Sequence, residues 1–263
     1  MTSPHFDFVK DFFNTNGCTI TEESPSHMNI QLTNAMDEEI MNRPFYWHYM
    51  KKMNRQGEPM QLTFTENTDE PGIYLHAGTP KLHTIYETAM KKGKLTRLYE
   101  AVDEPQANGA LTPWLVVNAL LHYRGKQTKD EPVSVGLQLL HGTFVPRMME
   151  RISNYAFNMT VSDYTFPMTP IIQLKSAYKR IEGYVENHTS SQNHNWARDS
   201  HQQLEQEEQL LQSFYESGDM SEDQFNKEHE QLFKRYRPRI EMEVVNGGLF
   251  YLSQQTSQEM LTS

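Results

Sequence analysis

Residues 114–123 read WLVVNALLHY, apolar at most positions of both alternating faces. A strand written this way is covered from both sides rather than wet on one. Val133–Leu140 repeats Val133, Val135, Leu137 and Leu139 at every second position, and the polar loop Arg124–Glu131 joins it to the first run. The pair predicts an antiparallel hairpin. Leu95–Ala101 supplies another strand upstream. Met60–Thr65 and Ile73–His76 form a strand pair across the turn-rich Glu66–Gly72. Cys18–Glu22 and Met28–Thr33 read as two more, the second carrying Met28, Ile30 and Leu32 on one face.

Helical signals lie between these strands. Ser3 is placed to cap a helix that begins with Pro4, buries Phe6, Val9, Phe12 and Phe13, and stops at Gly17. Asn34 precedes Asp37, Glu38 and Glu39, acids suited to the positive end of a helix. Pro44 breaks that helix, since it lacks a donor and restricts Arg43, and a second piece begins there. Lys81–Lys92 turns Leu82, Ile85, Tyr86 and Ala89 to one side before Gly93.

After about residue 165 the pattern changes. Ile171, Leu174, Tyr178, Ile181 and Val185 step by three and four, a heptad-like seam. It fades in the polar run His188–Asn195 and resumes out of phase as Ala197, Leu204, Leu211 and Phe214. Gly218 and Asp219 mark a turn. Ser221 with Gln224 makes a capping box and Met220 with Phe225 a hydrophobic staple, and Phe225, His229, Leu232 and Tyr236 continue the helix. Two helices joined this closely lie antiparallel. At the end, Arg239–Val245 and Leu249–Leu252 flank Asn246-Gly247-Gly248, which predicts a tight β-hairpin returning to the N-terminal sheet. The organisation expected is 1–165 strand-rich, 166–238 helical and 239–263 a C-terminal hairpin. Together they form one α+β unit: a largely antiparallel sheet of roughly seven to nine strands, flanking short helices and a protruding helical hairpin.

Composition narrows the function. The chain has 263 residues, a formal charge of -10, 13 Phe and 13 Tyr, too many aromatics for a disordered segment. Neither the first 165 residues nor the remainder carries the basic excess of a dedicated nucleic-acid-binding domain. No apolar run approaches a membrane span, and the first residues, MTSPHFDFVKDFF, lack the basic flank and apolar core of a signal peptide, so the expected compartment is the cytoplasm. Cys18 stands alone, which leaves no intrachain disulfide; after the turn signal Asn16-Gly17 it reads as a structural thiol. Phosphate loops, HExxH and GxSxG are absent from the sequence. His188, His194 and His201, like His76 and His83, are six or seven apart, not the three or four of helical metal ligands, so no metal or cofactor is expected. No catalytic residue can be assigned.

Two clusters stand out as binding candidates. Lys234, Arg235, Arg237 and Arg239 form a small basic group; cations at a helix end complement its dipole, and the fourth charge raises the prospect of an anionic partner. The segment Asn42–Tyr49, NRPFYWHY, is the denser one. On a helix its consecutive aromatics point in nearly every direction, so some must face something other than the main core. Either the helix is buried on most sides, or Arg43, Tyr46, Trp47, His48 and Tyr49 include partner contacts, with Phe45 expected in the core. The competing functional reading is an enzyme or small-ligand pocket near Asn42–Tyr49 with His48 or Arg43 as its polar groups.

The strings FFNTNGCTI (12–20), MNRPFYWHYM (41–50), LTPWLVVNALLHYRGKQTKDEPVSVGLQLLHG (111–142) and RPRIEMEVVNGGLFYL (237–252) resemble the YqhG family of bacterial proteins over essentially the full chain. That resemblance brings no established reaction, cofactor or catalytic residue with it. The architecture, strands and then long helices whose hairpin returns to a sheet, is also similar to the C-terminal region of RapA-type Swi/Snf ATPases, which act on RNA polymerase. It implies a non-catalytic accessory protein with a protein partner, either such an ATPase or the polymerase. Nucleic acid as sole partner and a membrane are not expected.

The capping signal yields a direct test. Ser221→Ala removes the oxygen that satisfies an orphan helix donor and should cost about 0.5–2 kcal/mol in a denaturant melt. An unchanged midpoint would place the helix start elsewhere.

Overall fold

Ser3 caps the first helix, α1 (Pro4–Thr15), by accepting from the Phe6 N–H. Its buried stripe is the predicted Phe6, Val9, Phe12 and Phe13, and Gly17 leaves it at a φ of +72°. These details come from a computed structural model that describes residues 3–102, 109–218 and 220–262. The chain divides into two units, Met1–Gly93 and Lys94–Ser263. The division falls at residue 93, not at 165, because the strands at 95–100 and 110–124 pair with the C-terminal strand, and among the described residues no strand after residue 93 pairs with those of residues 19–74.

The first unit continues with β1 (Thr19–Ser24), β2 (His27–Gln31), α2 (Asn34–Ile40), α3 (Pro44–Lys52), β3 (Gln61–Thr65), β4 (Ile73–Tyr74) and α4 (Pro80–Lys92). Its sheet runs β1-β2-β3-β4, antiparallel except for the last pair. Register places Met28 opposite Phe64 and Ile30 opposite Leu62, so all four side chains share a face. That face packs with Phe6, Val9 and Phe13 of α1, Met36 and Ile40 of α2, and Leu82 and Ile85 of α4 in one core. Thr33 caps α2 by accepting from the Met36 N–H. Cys18 is buried among these residues.

The second unit holds β5 (Leu95–Glu100), β6 (Ala110–Arg124), β7 (Lys129–Gln138), β8 (Phe144–Pro146), α5 (Met148–Ile152), β9 (Phe157–Asn158), β10 (Phe166–Pro167), α6 (Leu174–Ser190), α7 (Asn195–Glu216), α8 (Glu222–Tyr236), β11 (Arg239–Ser253) and α9 (Gln254–Thr262). Strand order is β8-β7-β6-β11-β5-β9, with β10 beside β6. The predicted β6–β7 hairpin forms, with β7 starting earlier than expected. As the sequence demanded, β6 is covered twice along its first half. Leu115 and Val117 pack with Ala177, Ile181 and Val185 of α6, while Trp114 and Val116 pack with Met148, Ile152 and Met260 on the other face. Fold class is therefore α+β with largely antiparallel sheets. Among the described residues no helix is long and apolar enough to cross a membrane.

Two expectations need correction. The seam on α6 begins later: Ile171 lies before the helix and is 74% exposed, and Leu174 is also exposed, so Ala177, Ile181 and Val185 make the buried stripe. More consequentially, the C-terminal segment is no hairpin. β11 is one strand, antiparallel to β6 from Arg239↔Arg124 to Ser253↔Leu111 and parallel to β5 from Gly247↔Leu95 to Tyr251↔Tyr99. Asn246-Gly247-Gly248 lies inside it, just after a bulge between Val244 and Asn246, and Asn118 donates to Asn246 Oδ1 at 2.7 Å. The glycines answer crowding rather than a turn. A Cβ on Gly247 would lie 2.8 Å from the Val116 carbonyl oxygen, and one on Gly248 2.7 Å from the Thr96 carbonyl oxygen. Glycine in a central strand marks such close approaches of neighbouring backbone.

The helical hairpin forms as expected. Tyr215 packs against Phe225 with their tilted rings 4.9 Å apart between centroids, Glu208 meets His229 at 3.2 Å, and Ser200 donates to the Tyr236 carbonyl. Partner numbers that rise on one helix as they fall on the other make α7 and α8 antiparallel. Ser221 and Gln224 form the full capping box. Gly218 has a φ of +82°, and Asp219 lies outside the described residues. At the base, buried Ser200 also accepts from the Lys126 N–H at 2.7 Å, tying α7 to the β6–β7 turn.

Gly248→Ala should destabilise the chain by about 1–3 kcal/mol, the usual cost of forcing atoms into packed space. A hairpin-turn glycine pair would tolerate alanine at one position far better, so a near-neutral Gly248→Ala in a thermal melt would restore the turn reading.

Candidate functional site

The aromatic segment is arranged by a residue that its own sequence does not contain. Asp37 lies in the first turn of α2, on the face it shares with Met36 and Ile40, and its side chain is sealed from solvent. Four donors converge on its carboxylate. Arg43 gives Nε at 3.1 Å to one oxygen and its terminal nitrogen to the other. Trp47 Nε1 donates at 2.7 Å, and the Met60 N–H at 2.7 Å. A carboxylate offers about four acceptor positions, and here all are taken. Burial pushes this acid up; the Arg43 fork, the Met60 amide and the Trp47 indole outweigh it and hold it below the ordinary carboxylate range.

The residues around this joint are committed to it. The Arg43 guanidinium lies 4.5 Å from the centre of the Tyr46 ring and donates to the Glu58 carbonyl at 3.3 Å, while the Tyr46 hydroxyl accepts from the Glu58 N–H at 2.7 Å. Gly57 rests on the Trp47 ring, where a Cβ would fall 2.3 Å from Cζ3. Residues 57–60 are thereby strapped over α3. Lys51 binds Glu38 at 2.6 Å, and Lys81 closes the end of α2 by donating to the Ile40 carbonyl at 2.9 Å, its ammonium pushed down by burial.

Exposure is the reverse of the expected pattern. Trp47 is 4% exposed, whereas Phe45 is 89% and Tyr49 52% exposed. Phe45 is thus not core, and Arg43, Tyr46 and Trp47 are held inward by the Asp37 carboxylate and the strap. Phe45, Tyr49 and exposed Met53 stand one helical turn apart, with exposed His48 beside them. Asp37 was hidden from sequence reading because an acid at a helix start already has an explanation in the dipole. Its place between Met36 and Ile40 on one helical face was the available signal.

In the second unit the basic cluster is spent locally. Lys234 meets Glu230 at 2.6 Å, Arg235 lies over Tyr236, Arg237 over Phe233, and Arg239 bonds Glu241 at 2.8 Å and the Lys234 carbonyl at 3.1 Å. A second buried carboxylate, Glu100, accepts from the Ser253 N–H and the Thr256 hydroxyl, each at 2.7 Å, joining β5 to the β11–α9 junction. On the wet side of the sheet His122 bridges Asp130 at 2.8 Å and Glu243 at 3.2 Å; these hydrogen bonds, Asp130 first, raise its pKa. Among the described residues no group of three His, Cys, Asp or Glu side chains could hold a metal ion.

A family model described as bacterial protein YqhG of unknown function matches residues 3–252. The chain belongs to the YqhG family. A curated relative, "Uncharacterized protein YqhG" of Bacillus subtilis (strain 168), is 33% identical over 256 residues, which cover 95% of this chain and 97% of the relative. The matched residues thus span both units.

Asp37→Asn should cost about 3–5 kcal/mol at neutral pH, since it leaves the Arg43 charge in place without its counterion. Because the folded pKa is depressed, the stability it adds is present above the unfolded value of about 3.9 and is lost as pH falls through the folded value. Denaturant melts from pH 7 down to acid should therefore show a smaller pH dependence in the variant. Identical slopes in the two proteins would deny Asp37 this role.

Proposed function

We propose that this YqhG-family chain is a cytoplasmic, non-catalytic interaction protein that presents Phe45 and Tyr49 of α3 to a protein partner. The single observation carrying this reading is Phe45, a phenyl ring 89% exposed on a helix whose opposite face is locked to a buried carboxylate. Aromatic side chains on a rigid frame lose little entropy on binding and dominate interface energetics. The helix is rigid where it matters, because the Asp37 joint and the 57–60 strap act on the residues beside the exposed ones.

The competing pocket reading is weakened by the same geometry. Arg43, its main polar group, is consumed by Asp37 and Glu58, and His48 is exposed. A formal charge of -10 favours a protein over nucleic acid as sole partner. For the partner we name a Swi/Snf-type ATPase or the RNA polymerase such ATPases act on. This choice rests on architectural similarity alone, an analogy of fold.

The test is a pull-down with the full chain from the native cell, probed for the Swi/Snf-type ATPase and for RNA polymerase. Phe45→Ala with Tyr49→Ala should weaken capture by ~1–4 kcal/mol per hot-spot residue while the melting temperature stays within experimental error. Trp47→Ala should instead cost roughly 3–5 kcal/mol of folding stability. Undiminished capture by the folded double variant rejects α3 as the contact surface, and capture of neither named partner rejects the partner assignment.

A further inference from the structure

β11 is paired on both sides only along part of its length. β6 accompanies it from Arg239 to Ser253, but β5 joins it only at Gly247–Tyr251. Among the described residues no strand pairs with the outer side of residues 239–245. Seven residues of edge, about 20 Å at the strand rise, leave every second N–H and C=O turned outward. The side chains along it are exposed where a neighbour would sit: Val244 is 41% exposed, and the Glu241 and Glu243 side chains are 59% and 70% exposed.

The surroundings specify what that neighbour looks like. On one face, Ile240 and Met242 join Leu121 and Val185 to line a groove of about 260 Å³ between β11 and α6, with Glu182 and Glu186 at its rim. On the opposite face stand Glu241 and Glu243, the first touched by Arg239 and the second by His122. Both faces therefore offer carboxylates, and one offers an apolar floor. A second copy of this chain is a poor occupant. Antiparallel pairing of two β11 edges about Met242 would set Glu241 opposite Glu243 of the second copy, and like charges placed directly across a ladder destabilise it.

We infer that residues 239–245 of β11 take up an extended, basic segment of another protein as an added strand, with aliphatic side chains at alternate positions towards the groove and Lys or Arg between them. Strand addition supplies affinity through the main chain and specificity through alternate side chains. Here the aliphatic side chains extend the apolar strip of Ile240, Met242 and Val244, and the basic ones face Glu241 and Glu243. The α3 surface belongs to the other unit, so the two are tested by different variants and either can fail alone.

The probe is a fluorescent synthetic heptapeptide of alternating lysine and valine, titrated into the full chain. It should bind and slow hydrogen exchange at outward amides of residues 239–245, and the same peptide with proline at its centre should not. Glu241→Lys with Glu243→Lys should weaken binding about tenfold, as two attractive cross-strand pairs become repulsive, and should confer binding of the glutamate–valine counterpart. If that variant fails to fold, Val244→Lys, a change at an exposed side chain, should weaken the lysine peptide in the same direction. Binding without protection at 239–245, or affinity unchanged in the folded charge variant, overturns the inference. So does a free chain that runs as a dimer with these amides already protected, since the edge would then belong to a second copy.

Discussion

A carboxylate sealed from water must find donors for its lone pairs or give up its charge, and Asp37 finds four. That requirement organises the candidate surface. Arg43 and Trp47, on α3 and at its start, must turn inward to supply three of the donors, so the helix has no rotational freedom left. The fourth donor, the Met60 amide, pulls the chain across α3 and into β3. Once positions 43 and 47 face the carboxylate, positions 45 and 49 have only the outside to occupy. Phe45 is exposed because Trp47 is buried.

Glu100 plays a comparable part in the second unit. It receives a backbone amide and a hydroxyl from the point where β11 passes into α9. Both acids act as joints between segments distant in sequence, and in both the acceptor capacity is used for structure. Buried ionisable groups often signal chemistry. When the chain itself supplies their donors, the simpler account is orientation of the elements they join.

The β6–β11 ladder imposes the other constraint. β11 arrives after a 70-residue excursion through α6, α7 and α8 and must fit between β5 and β6, where the neighbouring backbones leave no room for a Cβ at Gly247 and Gly248. On the other side of the bulge at Val244 the β5 partner is gone, and among the described residues no strand replaces it there. The same strand is thus crowded at one end and, among the described residues, unpaired on one side at the other.

Local signals were readable directly from the sequence wherever a residue acts through neighbours a few positions away. Ser3 and Ser221 as caps, the Pro44 helix start, the two-sided burial of β6 and the antiparallel α7–α8 pair all follow from spacings of two to four residues. Only the tertiary structure decided the rest. Asn246-Gly247-Gly248 suits a turn locally, yet serves a central strand because β6 and β5 press on it from about 130 and about 150 residues away in the chain. NRPFYWHY announced that some aromatics must be exposed, but which ones depended on Asp37 and Met60. Periodicity reports which face of an element is apolar; where a particular ring points is settled by the distant polar group that its N–H or hydroxyl must reach.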